Sequence, residues 1–262
     1  MKLLDEVIEI ALQAGEAIMA VYETSTMEVQ RKGDNSPLTE ADLAAHHLIE
    51  AGLKQLTPDL PVLSEESASV SFATRSHWRK YWLVDPLDGT REFIKRNGEF
   101  TVNIALIDEH EPVLGVVYAP AMDLLFYACK GGGAYKRVAH ADAEPISTRA
   151  YDAETLTVAG SRSHGDDILL RFISRLGPCQ LVSMGSSLKI CLVAEGRADI
   201  YPRLGLTSEW DTAAAQSVLV EAGGQLMGLD GVPFRYNHKE SMLNPHFLAV
   251  GDVQHRWLNY LE

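Results

Sequence analysis

Hydrophobic and polar positions at the start of the chain follow the spacing of an amphipathic helix. This pattern predicts a helix over about the first 22 residues. Its apolar members are Leu3, Leu4, Val7, Ile8, Ala11, Ala14, Ile18 and Val21. A second helix is predicted from near Thr39, because Glu40 and Asp42 stand where a first helical turn favours negative charge. A short strand at 28–31 and a loop at 33–37 are expected between the two helices.

Short apolar runs in the middle of the chain predict strands. The runs at 62–64 and 81–84 each end at an acidic residue. The next three runs are separated by short turns and predict an antiparallel meander, at 100–107, 113–118 and 124–128. Three consecutive glycines at 131–133 predict a tight turn after it.

The pattern changes after about residue 150, where short strands and helices alternate. Strands are predicted at 156–159, 180–183, 199–201 and 247–250. Helices are predicted near 166–176, 186–195, 209–222 and 252–261. This order is typical of an α/β arrangement, whereas the first half is α+β. We expect one domain over 1–262 with two lobes, about 1–145 and 146–262, that meet in the 139–152 region.

Composition and charge narrow the classes of function. The chain has 46% hydrophobic and 23% charged residues, which is ordinary for a globular protein. Its net charge of −13 disfavours a nucleic acid polymer as partner, but a small anion can still bind beside divalent metal ions. The three cysteines form no C-x-x-C pair, which favours a reducing compartment. Acidic residues interrupt the first apolar segment, so neither a signal peptide nor a transmembrane segment is expected.

The most informative stretch is 82–90, Trp-Leu-Val-Asp-Pro-Leu-Asp-Gly-Thr. A proline and a glycine are expected to turn the backbone so that Asp85 and Asp88 share one small space. Repulsion between two carboxylates is relieved by a hard cation with oxygen ligands. The carbonyl of Leu87 would be a third oxygen, and the Thr90 hydroxyl could hold a water. The alternative is an ordinary turn, since Asp-Pro and Asp-Gly pairs are common turn signals.

Three further acidic segments stand at predicted strand ends or helix starts, and each has a structural alternative. Glu65-Glu66 is compatible with a solvated loop. Asp211 follows Ser208 by three residues, which matches a helix capping box. Asp42 in a first helical turn is favoured by the helix dipole alone. Their order along the chain, together with 82–90, favours one shared site.

These motifs resemble the inositol monophosphatase superfamily of metal-dependent, lithium-sensitive phosphatases. The matching stretches are 82–90, 209–215, 221–224 and Glu65-Glu66-Ser67. The resemblance implies a layered αβαβα fold, the inositol monophosphatase/sugar phosphatase fold, forming a single catalytic domain. It also implies a cofactor of two or three Mg²⁺ ions.

The resemblance assigns roles to individual residues. The family's metal ligands fall on Glu65, Asp85, the Leu87 carbonyl, Asp88 and Asp211. The expected catalytic residues are Glu65 and Thr90, which polarise the attacking water, and Asp42 behind them. Two metal ions held by shared carboxylates can activate water, neutralise the phosphoryl oxygens and assist the leaving oxygen.

The substrate expectation comes from a narrower resemblance, to the bacterial 3′(2′),5′-bisphosphate nucleotidases. It is carried by 32–42, 160–164, 184–189 and 201–203. It implies hydrolysis of adenosine 3′,5′-bisphosphate to AMP and phosphate in sulfur metabolism, with the sulfated nucleotide as a candidate second substrate. The residues expected to bind substrate are Gly89, Thr90, Ser161, Ser163, His164, Gly185, Ser186, Ser187, Lys189, Arg203 and Asp211.

Several alternatives stay open at this point. Judged without the resemblance, Lys189 reads as part of a solvated helix face and His164 as a loop histidine. An inositol or sugar phosphatase with the same metal core is the second candidate, and a non-catalytic binder the third. The run Gly205-Leu206-Thr207 departs from the family's Gly-Pro-Thr. We expect a cytoplasmic protein with a small nucleotide as its partner. Peripheral contact with the inner membrane and the choice between monomer and homodimer remain open.

Overall fold

The computed structural model describes residues 2–24, 29–31, 37–67, 70–160 and 167–261. Its helices are α1 (Lys2–Tyr22), α2 (Glu40–Leu56), α3 (Phe72–Arg75), α4 (Thr90–Ile94), α5 (Asp167–Leu176), α6 (Leu188–Ala194) and α7 (Glu209–Glu221). Its strands are β1 (Val29–Arg31), β2 (Pro37–Thr39), β3 (Val62–Ser64), β4 (Lys80–Asp88), β5 (Thr101–Asp108), β6 (Glu111–Ala119), β7 (Leu124–Cys129), β8 (Ala134–Val138), β9 (Glu144–Ile146), β10 (Thr157–Gly160), β11 (Gln180–Ser183), β12 (Ile200–Arg203), β13 (Gln225–Gly228) and β14 (Phe247–Val250). Single 3₁₀ turns occupy Glu65–Ser67, Pro120–Met122 and Trp257–Tyr260.

The larger sheet has seven strands in the order of the sequence, β3 to β9. Strand β3 pairs parallel with β4, and the later neighbours pair antiparallel, which confirms the predicted meander. Alternate residues of β4 face opposite sides of this sheet. Trp82 and Val84 pack with α1 and α2, whereas Tyr81 and Leu83 pack with α6 and α7.

The smaller sheet has five strands in the order β11-β10-β12-β14-β13 and mixes parallel with antiparallel pairs. Tyr201 and Phe247 on one face join the core that contains α6 and α7. Ile200 and Leu248 on the other face pack with Phe172 of α5. The layers therefore follow one another as helices, sheet, helices, sheet and helix, the αβαβα arrangement that the resemblance implies.

Strand β4 differs from its prediction at its functional end. The strand does not end before Asp85; it continues to Asp88, with a register shift against β5 between these two residues. Pro86 is tolerated there because β3 ends opposite Val84, so no neighbouring strand needs its missing N–H. The backbone turns only at Gly89, which has a φ of 90° that favours glycine.

Other boundaries also depart from the sequence pattern. The predicted helix at 252–261 is wrong: this segment forms only the 3₁₀ turn Trp257–Tyr260, because Asp252 bonds the Gln254 N–H and the Trp257 indole locally. Strands β2, β8, β9 and β13 were not predicted, since they lack a run of apolar residues long enough to stand out. Most of the predicted loop at 33–37 lies outside the described residues.

Candidate active site

The end of β4 presents two carboxylates and a carbonyl to one place. Asp85 is buried, and its Oδ1 accepts a hydrogen bond from the Leu87 N–H at 3.1 Å. This hydrogen bond lies within the part of β4 where the register against β5 shifts. One carboxylate oxygen each of Asp85, Asp88 and Asp211 lies within 4.8 Å of the other two. The structure thus joins the two acidic motifs although they are far apart in sequence.

Asp211 reaches this cluster from the first turn of α7. Its Oδ2 accepts the Ser208 N–H at 2.8 Å, so the capping box suggested by the sequence is present. A carboxylate has acceptor sites on both oxygens. Capping the helix and facing the other carboxylates are therefore compatible roles for Asp211.

Glu65 lies beside Asp85 because of the parallel pairing of β3 and β4. Ser64 is opposite Val84 in this register, so the next residues along the two strands, Glu65 and Asp85, are neighbours, and their carboxyl groups interact. The Ser64 hydroxyl in turn lies 2.9 Å from Nδ1 of the buried His46 on α2. The solvated-loop alternative for Glu65 does not describe this position.

Asp42 and Thr90 meet behind the cluster. Asp42 is buried at the start of α2, where its Oδ2 accepts the Thr39 N–H at 2.8 Å and the Thr39 hydroxyl at 2.7 Å. The Thr90 hydroxyl lies 3.3 Å from the Asp42 Oδ1 and 3.4 Å from the Leu87 carbonyl oxygen. A hydroxyl with these two acceptors keeps lone pairs free to accept a hydrogen bond from water.

Burial and mutual repulsion make the carboxylate cluster hard to ionise on its own. Burial, and next the neighbouring Glu65, raise the pKa of Asp85 well above its usual range. Burial, and next Asp88, do the same for the pKa of Asp211. Burial raises the pKa of Asp88 to about 6, against the opposing effects of Lys189 and a backbone N–H. A cation bound among these carboxylates would favour their charged forms.

Residues before α6 support Asp88 from the other side. The Ser187 N–H donates to the Asp88 Oδ2 at 2.7 Å, and the Ser187 hydroxyl lies 2.8 Å from the Asn103 Oδ1. Gly185 allows this approach, since a Cβ there would lie 2.4 Å from the Glu99 carbonyl oxygen. The sequence suggested Ser187 as a phosphate donor, but in the structure its N–H holds a carboxylate.

Lys189 is not part of a solvated helix face. It is only 6% exposed, and its Nζ donates to the carbonyl oxygens of Met184 at 3.1 Å and Ser186 at 2.7 Å. Burial lowers its pKa to about 8, while the nearby Asp88 acts in the opposite direction. Lys189 also lines the cavity beside Asp88.

A cavity of about 430 Å³ lies over the carboxylates and is lined by Glu65, Asp85, Asp88, Thr90 and Asp211, among others. Two further cavities adjoin it on the side of Lys189 and Arg203. The first, of about 190 Å³, includes Asp88, Asp211, Lys189 and Arg203 in its lining. The second, of about 640 Å³, shares Arg203 and the 72% exposed Leu206 with the first. Arg203 donates to the Leu206 carbonyl at 2.9 Å, and its Nε is buried without a partner among the described residues. The joined space has acidic, basic and apolar walls.

Some predicted positions are not described, and some lining residues were not predicted. Ser161, Ser163 and His164 lie outside the described residues. The lining residues that sequence reasoning missed include Arg91, Glu92, Tyr201 and Thr207. The sequence could have indicated Arg91 as a site residue, since it directly follows the Asp-Pro-Leu-Asp-Gly-Thr motif. Asn103 lies deeper, near the start of β5, and only the tertiary fold brings it near Asp88.

A comparison with known families decides the classification. A sequence profile of the inositol monophosphatase family matches residues 2–258. The chain belongs to the inositol monophosphatase family. The layered fold and the resemblance inferred from the motifs are thereby confirmed. Among the described residues, no helix is both long and apolar enough to cross a membrane.

Similar proteins cover nearly the whole chain. The 3′(2′),5′-bisphosphate nucleotidase CysQ of Escherichia coli K12 is 51% identical over 252 residues, covering 94% of this chain and 98% of that protein. The Haemophilus influenzae CysQ is 40% identical over 257 residues, covering 97% of this chain and 95% of that protein. The crystal structure of CysQ from Bacteroides thetaiotaomicron superimposes with a TM-score of 0.84 at 42% identity, covering 95% of this chain and 96% of that one. SuhB from Bartonella henselae, with a TM-score of 0.81 at 24% identity, shares the fold.

The inositol monophosphatase family is metal-dependent, and the acidic cluster fits a divalent cation. All of its facing donors are oxygens, which hard cations such as Mg²⁺ prefer. Burial and the neighbouring carboxylates raise the pKa of Asp85 and of Asp211, so positive charge beside them would favour their ionised forms. A bound cation would supply that charge.

Proposed function

We propose that this chain is a Mg²⁺-dependent 3′(2′),5′-bisphosphate nucleotidase that hydrolyses adenosine 3′,5′-bisphosphate to AMP and inorganic phosphate. The observation that carries the proposal is the cluster of Asp85, Asp88 and Asp211 beside a cavity with basic walls. The relatives named as bisphosphate nucleotidases, 40–51% identical, support the substrate. The sulfated nucleotide is proposed as a second substrate, which would connect the enzyme to sulfur metabolism.

The residues that would hold two or three Mg²⁺ ions are Glu65, Asp85, the Leu87 carbonyl, Asp88 and Asp211. When bound, Mg²⁺ supplies Lewis-acid neutralisation of phosphoryl oxygens and lowers the pKa of a bound water. The hydrogen bonds from the Ser187 N–H to Asp88 and from the Ser208 N–H to Asp211 fix the direction of both carboxylates in advance. Such prior fixing lowers the reorganisation that the reaction requires.

Thr90 and Glu65 are proposed to orient the attacking water. The Asp42 carboxylate accepts a hydrogen bond from the Thr90 hydroxyl, so the Thr90 oxygen can accept a hydrogen bond from the water. The Glu65 carboxylate is a second acceptor on the same side, next to Asp85. Together they would direct the lone pair of the water toward phosphorus.

Lys189 and Arg203 are proposed to recognise the phosphate that is not cleaved. Both line the smaller cavity, and Arg203 also lines the larger one. A guanidinium can bind a phosphate in a bidentate manner. The exposed Leu206 would contact the nucleoside. Gly89, Gly185 and Ser186 shape the same wall.

The second candidate is an inositol or sugar phosphatase with the same metal core. The relatives of that kind are similar to this chain at the level of fold. The basic walls favour a substrate with a second phosphate over a simple monophosphate. The free cysteines are consistent with a cytoplasmic setting.

A substrate panel tests the proposal. Phosphate release would be measured with Mg²⁺ on adenosine 3′,5′-bisphosphate, its sulfated analogue, inositol 1-phosphate and a sugar bisphosphate. We expect kcat/KM for adenosine 3′,5′-bisphosphate to exceed that for inositol phosphate by at least about tenfold. A preference for inositol 1-phosphate would favour the second candidate, and no turnover of any of them would favour a non-catalytic binder.

A further inference from the structure

The segment 237–244, which we name the clamp segment, lies along the first turn of α7. Its last residue, Asn244, is 7% exposed and bonds to several groups of that turn. The Asn244 side-chain amide donates to the Ser208 carbonyl oxygen at 2.6 Å and lies 3.2 Å from the Thr207 hydroxyl and 3.1 Å from the Thr212 hydroxyl. Its backbone N–H donates to the Thr207 carbonyl oxygen at 2.8 Å. These contacts surround Asp211 on both sides in sequence.

The beginning of the clamp segment is fixed by Arg75. This arginine is 2% exposed and lies in the connection between β3 and β4. Its Nη1 donates to the Asn237 Oδ1 at 2.5 Å, and the Asn237 amide donates back to the Arg75 carbonyl oxygen at 2.6 Å. Its Nη2 donates to the carbonyl oxygens of Lys239, at 3.1 Å, and Glu240. Arg75 thus ties the clamp segment to the larger sheet.

Glu209 joins the clamp segment to α7 a second time. Its side chain is 1% exposed, and its Oε2 accepts the Asn237 N–H at 2.8 Å. Its Oε1 lies 3.6 Å from the Lys239 Nζ. Its backbone N–H donates to the Met242 carbonyl oxygen at 2.8 Å. Buried charged groups with this many partners hold their neighbours in one geometry.

The geometry matters because the carboxylates come from different elements. Asp85 and Asp88 belong to β4 of the larger sheet, whereas Asp211 belongs to α7. Like charges repel, so an empty site favours withdrawal of Asp211. The clamp segment is bonded at one end to the β3–β4 connection and at the other end to the turn that carries Asp211. The clamp segment therefore connects the larger sheet, which carries Asp85 and Asp88, to the turn that carries Asp211.

We propose that Arg75 and Asn244 are positioning residues that hold Asp211 against the carboxylates of β4 and thereby set the affinity for the divalent cation. This inference rests on the proposed metal-dependent function. Neither residue faces the reacting atoms. Loss of either should weaken metal binding, and a high metal concentration should restore turnover because it compensates for a less organised site.

The test compares Asn244→Ala and Arg75→Met with the parent protein. The exposed positions Asn259→Ala and Arg171→Met serve as matched controls. Two quantities are titrated with Mg²⁺: the rise in the unfolding midpoint, which requires no substrate, and turnover of adenosine 3′,5′-bisphosphate. We expect the half-saturating Mg²⁺ concentration to rise at least about tenfold in both clamp variants. Turnover at saturating Mg²⁺ should return to within about threefold of the parent, and the controls should not change.

Arg75→Lys, which keeps the charge but loses the paired donors, covers the case in which Arg75→Met does not fold. We expect it to shift the Mg²⁺ titration in the same direction by a smaller factor. The inference is overturned if the folded variants lose metal-free stability while their half-saturating Mg²⁺ concentration matches the parent. If the parent protein itself shows no Mg²⁺-dependent midpoint, the proposed function fails instead. If the parent protein binds Mg²⁺ but hydrolyses a different substrate, the titration of the unfolding midpoint still tests whether Arg75 and Asn244 set the Mg²⁺ affinity.

Discussion

At the scale of single residues, Asp88 combines a predicted metal ligand with a structural contact. We expect Asp88→Asn to lower kcat at saturating Mg²⁺ by at least about a hundredfold, because the lost charge weakens a cation needed in the transition state. The Asn side chain can still accept the Ser187 N–H, so the fold should persist. Circular dichroism and phosphate release measure the two effects. Asp142→Asn, at an exposed position, is the control, and near-normal turnover of folded Asp88→Asn would contradict the metal assignment.

Arg203 is the residue that best separates a bisphosphate from a monophosphate. We expect Arg203→Met to lower kcat/KM for adenosine 3′,5′-bisphosphate about ten- to a hundredfold, the effect of one lost charged hydrogen bond. Residual turnover of a monophosphate should change much less, since the carboxylate cluster remains. Arg197→Met, at a surface arginine 59% exposed, is the matched control. Equal loss on both substrates would mean that Arg203 supports the site as a whole.

Lys189 shows how far single-residue prediction can go. The resemblance implied that Lys189 binds the second phosphate of the substrate, and the structure places its ammonium in the cavity wall near Asp88. The sequence did not reveal that the same ammonium bonds the carbonyl oxygens of Met184 and Ser186. These acceptors depend on the local path of the backbone. A Lys189 variant is therefore a poor test of substrate choice, because it would also disturb this turn.

At the scale of elements, the contact between α2 and β3 should make stability depend on pH. Burial lowers the pKa of His46 below its ordinary 6.5. The unfolded chain therefore takes up a proton near pH 6.5 and the folded chain only at lower pH, so stability falls as the pH falls through this window. At about pH 5.5 the resulting loss in the free energy of unfolding is at most about 1.4 kcal/mol.

Denaturant unfolding at about pH 7.5 and about pH 5.5 measures this effect in the parent and in His46→Gln. We expect the parent to lose more stability than the variant, which has no titrating ring but can still bond the Ser64 hydroxyl. The comparison cancels the effect of the remaining charged groups. An equal loss in both proteins would show that His46 takes up its proton as readily when folded as when unfolded.

The elements were predictable where a local pattern determines them. The spacing of apolar residues gave α1 and the central strands, and the acidic residue three positions after Ser208 indicated the start of α7. The end of β4 was not predictable, because Pro86 is tolerated only where the neighbouring β3 has already ended. The contact between Arg75 and Asn237 joins residues 162 positions apart, and no local signal predicts it.

At the scale of the whole molecule, the active site lies where the two sheets and α7 meet. Binding of a cation between elements of different layers should therefore stabilise the complete fold. We expect saturating Mg²⁺ to raise the Tm of metal-stripped protein by roughly 5–10 °C, the effect of a ligand well above its Kd. Thermal unfolding with and without chelator measures it. A Tm that does not respond to Mg²⁺ would contradict a metal site at this junction.

The central claim is that the carboxylate cluster removes the 3′-phosphate while the basic walls retain the 5′-phosphate. The most direct measurement is to incubate adenosine 3′,5′-bisphosphate with the enzyme and Mg²⁺ and to identify the nucleotide product by ³¹P NMR. The account predicts AMP carrying the phosphate at the 5′ position, together with an equal amount of inorganic phosphate, and none of either in the presence of chelator. Adenosine 3′-phosphate as the product, or product formation that continues without metal, would contradict it.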